Sequence, residues 1–573
     1  MEMNMRTKMK HIITSAAIMG LLLPAVILAP DIAHAQQSGP LDYSGSVGFT
    51  VRGYGVNGIP ARQETLSAQA FANASFNLLG LRSGINLTYT TQQSRINQNI
   101  NRLSFNTSWS WGAFSAGDVN PGYSRYGLRG INVRGGELTL NQGDFSFSLA
   151  GGQNRRAVEF DPDHAFSDPA FRRRVYAAKL GYGRETASFI RFSGAYIRDQ
   201  QTSIGESDQV SPAENIHLTT EGGLELLNGR LHLQGQITAS ALSPDMRNPV
   251  ITDGGRTLFP SFLMSEREGS FVDYAGEVQM RLNIEGFRLQ AGYERIQPGY
   301  ESLGLSRILN DVESFRLQPT FILMNNRLRV NIQSGLTRNN LLGQLFSTYY
   351  RYQLGSNLQY TVSDRLTLSG GYTYMGNENR PSGEVEDPVR LEQKQISQMI
   401  MFSPTFSFES GEQSHMLSYS GNLQFMSDQS RAVREGIRPD RDQTVSTNTL
   451  SYRVQFPSGF SLNSSGNFLI SEGAGTSIRS AGANLGTGFR FFDDRLNTNI
   501  TAGWSQNRLQ INSGQTVPDR ITDQLNTTLS ANYRFGDAST LRFQLRGLSN
   551  NNRAEGVSNY QELQGSLQFN YRF

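Results

Sequence analysis

The feature that most constrains this chain is a two-residue alternation of apolar and polar side chains that recurs from about residue 41 to the end. In the last run, Leu563, Leu567, Phe569, Tyr571 and Phe573 share one parity, and Gln564, Ser566, Gln568, Asn570 and Arg572 share the other. Another run sets Leu525, Leu529, Ala531, Tyr533 and Phe535 against Asn526, Thr528, Ser530, Asn532 and Arg534. A third opposes Leu366, Leu368, Tyr372 and Tyr374 to Arg365, Thr367, Ser369 and Thr373. Successive side chains of a strand point to opposite faces, so each run reads as a strand with one greasy and one polar face.

Two kinds of connection separate the runs. Short turns fall at pairs such as Leu79-Gly80, Asn228-Gly229, Glu285-Gly286, Asp493-Asp494 and Gly536-Asp537, where Gly, Asn and Asp tolerate the positive φ of tight hairpins. Longer connections lie between them, among them 52–65, 118–128, 241–268, 298–311, 377–395 and 470–477. Twelve short turns alternate with thirteen longer loops, which gives about 26 strands, within a range of 24–28. The fold class expected is all-β: a transmembrane, antiparallel, up-and-down β-barrel with short periplasmic turns and long extracellular loops.

Composition closes off the other classes. Hydrophobic residues make up 37%, too few for a bundle of helices that each need about 20 apolar residues to span a bilayer. The 33 Phe, 22 Tyr and 58 Gly are foreign to disorder. Cys is absent, which excludes disulfides, thiolate metal sites and cysteine nucleophiles. A formal net charge of +3 gives no reason to expect nucleic acid. A soluble solenoid or sandwich would need a second layer over its apolar face, and the sequence offers none. Only closure into a barrel satisfies every backbone group of a sheet in lipid.

Residues 1–35 read as a secretory signal peptide. Arg6, Lys8 and Lys10 form its basic start and Ile12 to Ile27 its apolar stretch. Ala33 and Ala35 give the small-x-small cleavage pattern. The expected domains are therefore 1–35, the signal peptide, and 36–573, a single outer-membrane barrel. Alternation starts just after the cleavage point, leaving no room for a plug domain or periplasmic repeats.

Two resemblances add to this reading. Tyr571 and Phe573, alternate aromatics at the chain end, resemble the C-terminal signal read by the barrel-assembly machinery, which implies that machinery as a partner during biogenesis. Pro121-Gly122-Tyr123 through Gly127-Leu128 matches Pro298-Gly299-Tyr300 through Gly304-Leu305 as P-G-Y-x-x-x-G-L. With Ala116-Gly117-Asp118 before the first copy and Leu309-Asn310-Asp311 after the second, it is similar to large, uncharacterised outer-membrane β-barrel proteins of diderm bacteria, porin- or conduit-like and without a plug domain. The likeness covers about residues 100–375 and implies location and fold rather than an activity. Each copy folds a loop inward with its Tyr against the wall, or the two are ordinary turns alike by shared ancestry of barrel halves; the residues leave both open.

Little in the chain suggests chemistry. His164, His217, His232 and His415 lie far apart, no Ser–His constellation is evident, and the glycine doublets Gly135-Gly136 and Gly151-Gly152 belong to strands. No catalytic, cofactor or metal residues are assigned, and the expectation is not an enzyme. The acidic stretch from Glu159 to Asp168 has oxygen ligands but lacks the pattern of a calcium loop, and reads as a solvated loop paired with neighbouring arginines.

The mature chain has only two lysines, Lys179 and Lys394, against 47 arginines. Arg288, Arg327, Arg329, Arg365, Arg495, Arg534, Arg542 and Arg572 share the polar parity beside short turns, so they are expected in the lumen near the periplasmic mouth. A collar favouring anionic or zwitterionic cargo is one reading. A ladder of Arg–carboxylate pairs stiffening the wall is the other, and the near balance of acids and bases favours it.

A barrel of this strand number is wider than a small solute needs. Inward loops, with 241–268 and 377–395 as candidates, or a plug or periplasmic partner protein must fill it. The expected function is a wide, loop- or partner-gated conduit for large or bulky cargo. The second reading is a structural anchor or scaffold for a surface or envelope-spanning assembly, with Leu258 to Met264 as an apolar partner site or lid. Outer-membrane lipid and lipopolysaccharide are the surroundings expected.

Overall fold

The computed structural model describes residues 41–91, 101–160, 169–205, 209–251, 263–383, 388–473, 475–511, 519–553 and 557–573. The signal peptide expected at 1–35, with Ala33 and Ala35, lies outside the described residues. So does His164.

The strands are β1 (Leu41–Asn57), β2 (Leu66–Leu78), β3 (Leu81–Thr90), β4 (Arg102–Trp109), β5 (Gly112–Val119), β6 (Val133–Gln142) and β7 (Phe145–Arg155). There follow β8 (Arg172–Gly183), β9 (Phe189–Gln200), β10 (Glu214–Leu226), β11 (Leu231–Ser243), β12 (Phe271–Ile284), β13 (Phe287–Ile296) and β14 (Val312–Leu323). Next come β15 (Leu328–Arg338), β16 (Ser347–Thr361), β17 (Leu366–Pro381), β18 (Gln393–Ser410), β19 (Gln413–Asp428) and β20 (Gln443–Gln455). The last are β21 (Ser461–Gly473), β22 (Thr476–Phe491), β23 (Leu496–Ile511), β24 (Arg520–Phe535), β25 (Ser539–Asn552) and β26 (Tyr560–Arg572).

All belong to one 26-stranded sheet, each strand antiparallel to the next. β26 pairs with β1 from Ser46 opposite Arg572 to Asn57 opposite Gln561, which closes the ring. Phe573 completes the seam: its amide donates to the Gly45 carbonyl at 3.0 Å and its carbonyl accepts from the Gly45 amide at 2.8 Å. The strand count is the one read from the turns. One loop differs: the connection expected to be long at 470–477 is short, since β21 runs to Gly473 and β22 starts at Thr476. Several short turns are also wider than two residues, because three successive residues turn left-handed. Met324, Asn325 and Asn326 have φ of 54, 53 and 68°, and Phe492, Asp493 and Asp494 have 57, 53 and 65°.

The register assigns each side chain a face. On β7 and β8, Phe145, Phe147, Leu149, Tyr176, Leu180 and Tyr182 point outward and are well exposed. Next to the short turns the outward face carries paired aromatics: Phe145 with Tyr182 at 4.9 Å, Phe287 with Phe321 at 5.2 Å and Tyr533 with Phe535 at 4.4 Å between ring centroids. That is the aromatic girdle of a barrel at the membrane interface. No helix among the described residues is long and apolar enough to cross a membrane. A closed ring with an apolar exterior crosses with strands instead, and its place is the outer membrane. From strand spacing and tilt, a circular ring of this strand number measures about 50 Å across, backbone to backbone.

Candidate functional site

Two of the long loops fold into the lumen and interlock. The connection between β5 and β6 carries Pro121, Gly122, Tyr123 and Gly127. The connection between β13 and β14 carries Pro298, Gly299, Tyr300 and Gly304. Tyr123 is 4% exposed and packs on Val133, Val175, Ala177, Ala195 and Ile197. These belong to the lumen-facing parity of β6, β8 and β9, which here is apolar too. Tyr300 is fully buried against Tyr126, Ala275 and Ile296.

The loops bind each other directly. The Tyr300 hydroxyl donates to the Tyr126 carbonyl at 2.9 Å, and the Ser302 hydroxyl to the Gly127 carbonyl at 2.8 Å. The Arg129 amide donates to the Gly304 carbonyl at 3.3 Å, beside a parallel bridge from Arg129 to Leu305. Gly304 is needed at that crossing: a Cβ there would sit 2.3 Å from the Gly127 carbonyl oxygen and 2.8 Å from Ile197 Cδ1. Gly122 has open space around it, so its place in the motif is not one of close packing.

The wall holds the pair through lumen-facing polar groups. Arg125 bridges Glu277 on β12 and Glu294 on β13, which are ladder partners; its Nη2 lies 2.9 Å from Glu294. The Tyr126 hydroxyl donates to the same Glu294 at 2.7 Å. Burial raises the Tyr126 phenol above its usual range, with the Glu294 hydrogen bond adding to it, so the proton stays on the donor. Thr219 donates to Ser124 at 2.9 Å, Ser240 to the Glu301 carbonyl at 2.6 Å, and the Leu303 amide to Asn215 at 3.0 Å. The Gly299 amide donates to Asp273 at 2.8 Å.

This filling is one-sided. The upper lumen faces of β5 to β13 hold residues buried beneath the two loops, among them Val119, Val133, Val175, Asn215 and His217, whereas the described lumen positions of β16 to β26 are mostly half-buried or exposed, with Gly355, Asp428 and Ser471 among the exceptions. There the lumen wall is mostly Ser, Thr, Asn and Gln, as in Asn499, Thr501 and Ser505 on β23 and Asn526, Thr528 and Ser530 on β24.

The loops expected to turn inward behave differently. In 241–268, residues 252–262 lie outside the described residues. Leu263 and Met264 pack on Ile216, Ala241 and Val272, which have the outward parity. The described part of that loop therefore lies against the outside of the barrel, because its apolar residues match the greasy face. Of the apolar stretch from Leu258 to Met264, these two residues are the described part. In 377–395, residues 384–387 are outside the described residues, and the helical turn Pro388–Leu391 meets a second, Arg431–Arg434, at the rim. Glu392 accepts from Arg434 there.

The eight arginines singled out all lie at the short-turn end. Arg288, Arg329, Arg534, Arg542 and Arg572 occupy lumen-facing strand positions. Arg327, Arg365 and Arg495 stand in the turns themselves. All eight are exposed. None has a carboxylate within 4.0 Å among the described residues. Many arginine–carboxylate pairs sit higher, as in Arg155 and Arg173 on Asp199, while at the short-turn end Arg490, not one of the eight, pairs with Asp494. Tyr571 and Phe573 close the seam, their rings 6.2 Å apart on the outward face.

No protein-family model and no curated protein matches the chain. Solved barrels do, at low similarity. The ferric enterobactin receptor PfeA is 10% identical, with 94% of this chain and 82% of that one covered and a TM-score of 0.41. OccAB4 of Acinetobacter baumannii is 12% identical over 67% of this chain and 97% of its own, at 0.31. OpdK of Pseudomonas aeruginosa, solved with vanillate, is 10% identical over 69% and 99%, at 0.31.

Sequence reasoning named the motif glycines and tyrosines but missed Ser124, Arg125, Ser302, Glu277, Glu294 and Asn215. One signal was available: Val and Ala on the nominally polar parity of β8 and β9 mark a lumen wall that something dry must cover. No three His, Cys, Asp or Glu residues gather to hold a metal among the described residues.

Proposed function

We propose that this barrel is a wide conduit through the outer membrane, narrowed from one side by the interlocked loops and passing large or bulky cargo down a gradient. The one-sided filling carries this reading. Two loops about 170 residues apart in the chain are tied to each other and to β5–β13, while the opposite wall is polar and mostly open among the described residues. Such a wall neither packs a core nor binds a solute tightly, which suits passage. No residue of the chain offers an energy source, so the driving force is a gradient or a periplasmic partner. The gate is the interlock.

Single-channel conductance of the purified, refolded barrel in a planar bilayer tests the proposal. Conductance well above that of ordinary porins is expected, rising further in Gly304→Val, where the new side chain pushes the two loops apart. A folded barrel that stays silent in both forms would instead place it among scaffolds that never conduct.

A further inference from the structure

We infer that the arginines at the short-turn mouth form a contact site for multivalent anionic cargo, a flexible polymer bearing phosphate or sulfate groups. The inference rests on the conduit reading above and names its cargo class.

Arg534, Arg542 and Arg572 stand on the three consecutive strands β24, β25 and β26, all on the lumen face and all exposed. The Arg534 guanidinium donates to the Asp494 backbone carbonyl at 2.7 Å, and none of the three meets a carboxylate among the described residues. Arg288 and Arg329 stand likewise on β13 and β15. Higher in the lumen the pattern reverses: Arg125, Arg155 and Arg173 are each committed to carboxylates. Some pairs also lie at the short-turn end, as Arg184 with Asp144 and Arg490 with Asp494 do, but the collar arginines themselves stay outside them. Gathering like charges costs free energy, which a water-filled lumen lowers but does not remove. A planar fork that binds phosphate, sulfate or carboxylate bidentately is the gain that offsets it.

Magnitudes decide the kind of anion. At 0.1 M salt the Debye length is about 10 Å, whereas the lumen half-width is about 25 Å at the backbone. A small ion near the axis is screened from the collar. Cargo must touch the wall to feel it, and a polymer gains from several arginines at once by releasing counterions, as charged chains do on basic surfaces. Above the collar the lumen wall of β16 to β26 is mostly Ser, Thr, Asn and Gln, with charges as sparse as Arg351 and Arg546, so the mouth is where the arginines gather.

The experiment is polymer block of single-channel current at about 0.1 M salt, where screening is moderate. Dextran sulfate, uncharged dextran of equal length and polyglutamate are added in turn to each chamber. Dextran sulfate is expected to block from one chamber at a concentration at least about tenfold lower than from the other, with uncharged dextran inert and block weakening as salt rises. The triple variant R534Q/R542Q/R572Q is expected to lose that asymmetry while keeping the heat-modifiable mobility of the folded barrel. Block by uncharged dextran at equal concentration overturns the inference, as does a triple variant that behaves like the original. Block by polyglutamate alone would assign the collar to an acidic protein segment and overturn it too. If the folded barrel is silent, the conduit reading falls. The collar is then judged by fluorescence anisotropy of labelled dextran sulfate with detergent-solubilised protein, where equal binding by the original and the triple variant overturns it.

Discussion

Arg125 and Gly304 hold the centre of the molecule, for different reasons. Glu277 and Glu294 face each other across one ladder pair, and Arg125 is the cation between them. Arg125→Met leaves two nearly buried carboxylates opposed. Because the guanidinium is a third exposed, the cost expected is at the lower end of about 1–3 kcal/mol. It should appear as faster limited proteolysis within residues 121–130, and R125M/E277Q/E294Q should recover resistance, since the amides no longer repel. Neither residue's task was legible in the sequence. Arg125 sits at a variable position of the repeated motif, and its partners lie more than 150 residues away. The motif itself was legible as an echo, but that its two copies touch is a fact of packing.

At the scale of the element, the strands were the most readable part of the chain. A period of two is local, so each run declared its own faces, and the turns declared the count. What alternation hides is the filled sector, where apolar side chains occupy both parities because protein, not water, covers the lumen face. The loops were read least well. Loop 241–268 is a candidate for filling the lumen by sequence, yet Leu263 and Met264 lie against outward-facing Ile216 and Ala241. Its start is pinned by Asp245, whose carboxylate is held down to about pKa 2 chiefly by hydrogen bonds from Arg247. A depressed folded-state pKa stabilises above the unfolded value of about 3.8 and loses that stabilisation as pH falls toward about 2. Protease cleavage at 244–251, with an acid-tolerant protease, is expected to stay flat from neutral pH to about 4 and rise below it. The seam between β1 and β26 makes a second expectation at this scale. Deleting Phe573 removes two backbone hydrogen bonds to Gly45 and the ring that lies over it. The heat-modifiable, folded fraction should drop, measured by electrophoretic mobility after refolding into lipid.

At the scale of the whole molecule, the ring and its contents follow separate rules. Closure needs only the ladders, so loosening the interlock should leave the barrel intact. Gly304→Val is expected to keep the heat-modifiable mobility of the original while its conductance rises, a separation that a shared folding defect would not give. An off-centre filling also bears on what kind of sieve the proposed conduit would be. A round aperture ranks solutes by diameter. Among the described residues the loops cover the upper part of β5–β13 and leave β16–β26 mostly open, and in the conduit proposed above such a crescent would rank solutes by thickness. In that conduit a supple chain would thread its whole length along the open wall, while a compact sphere of equal mass would stop at the horns.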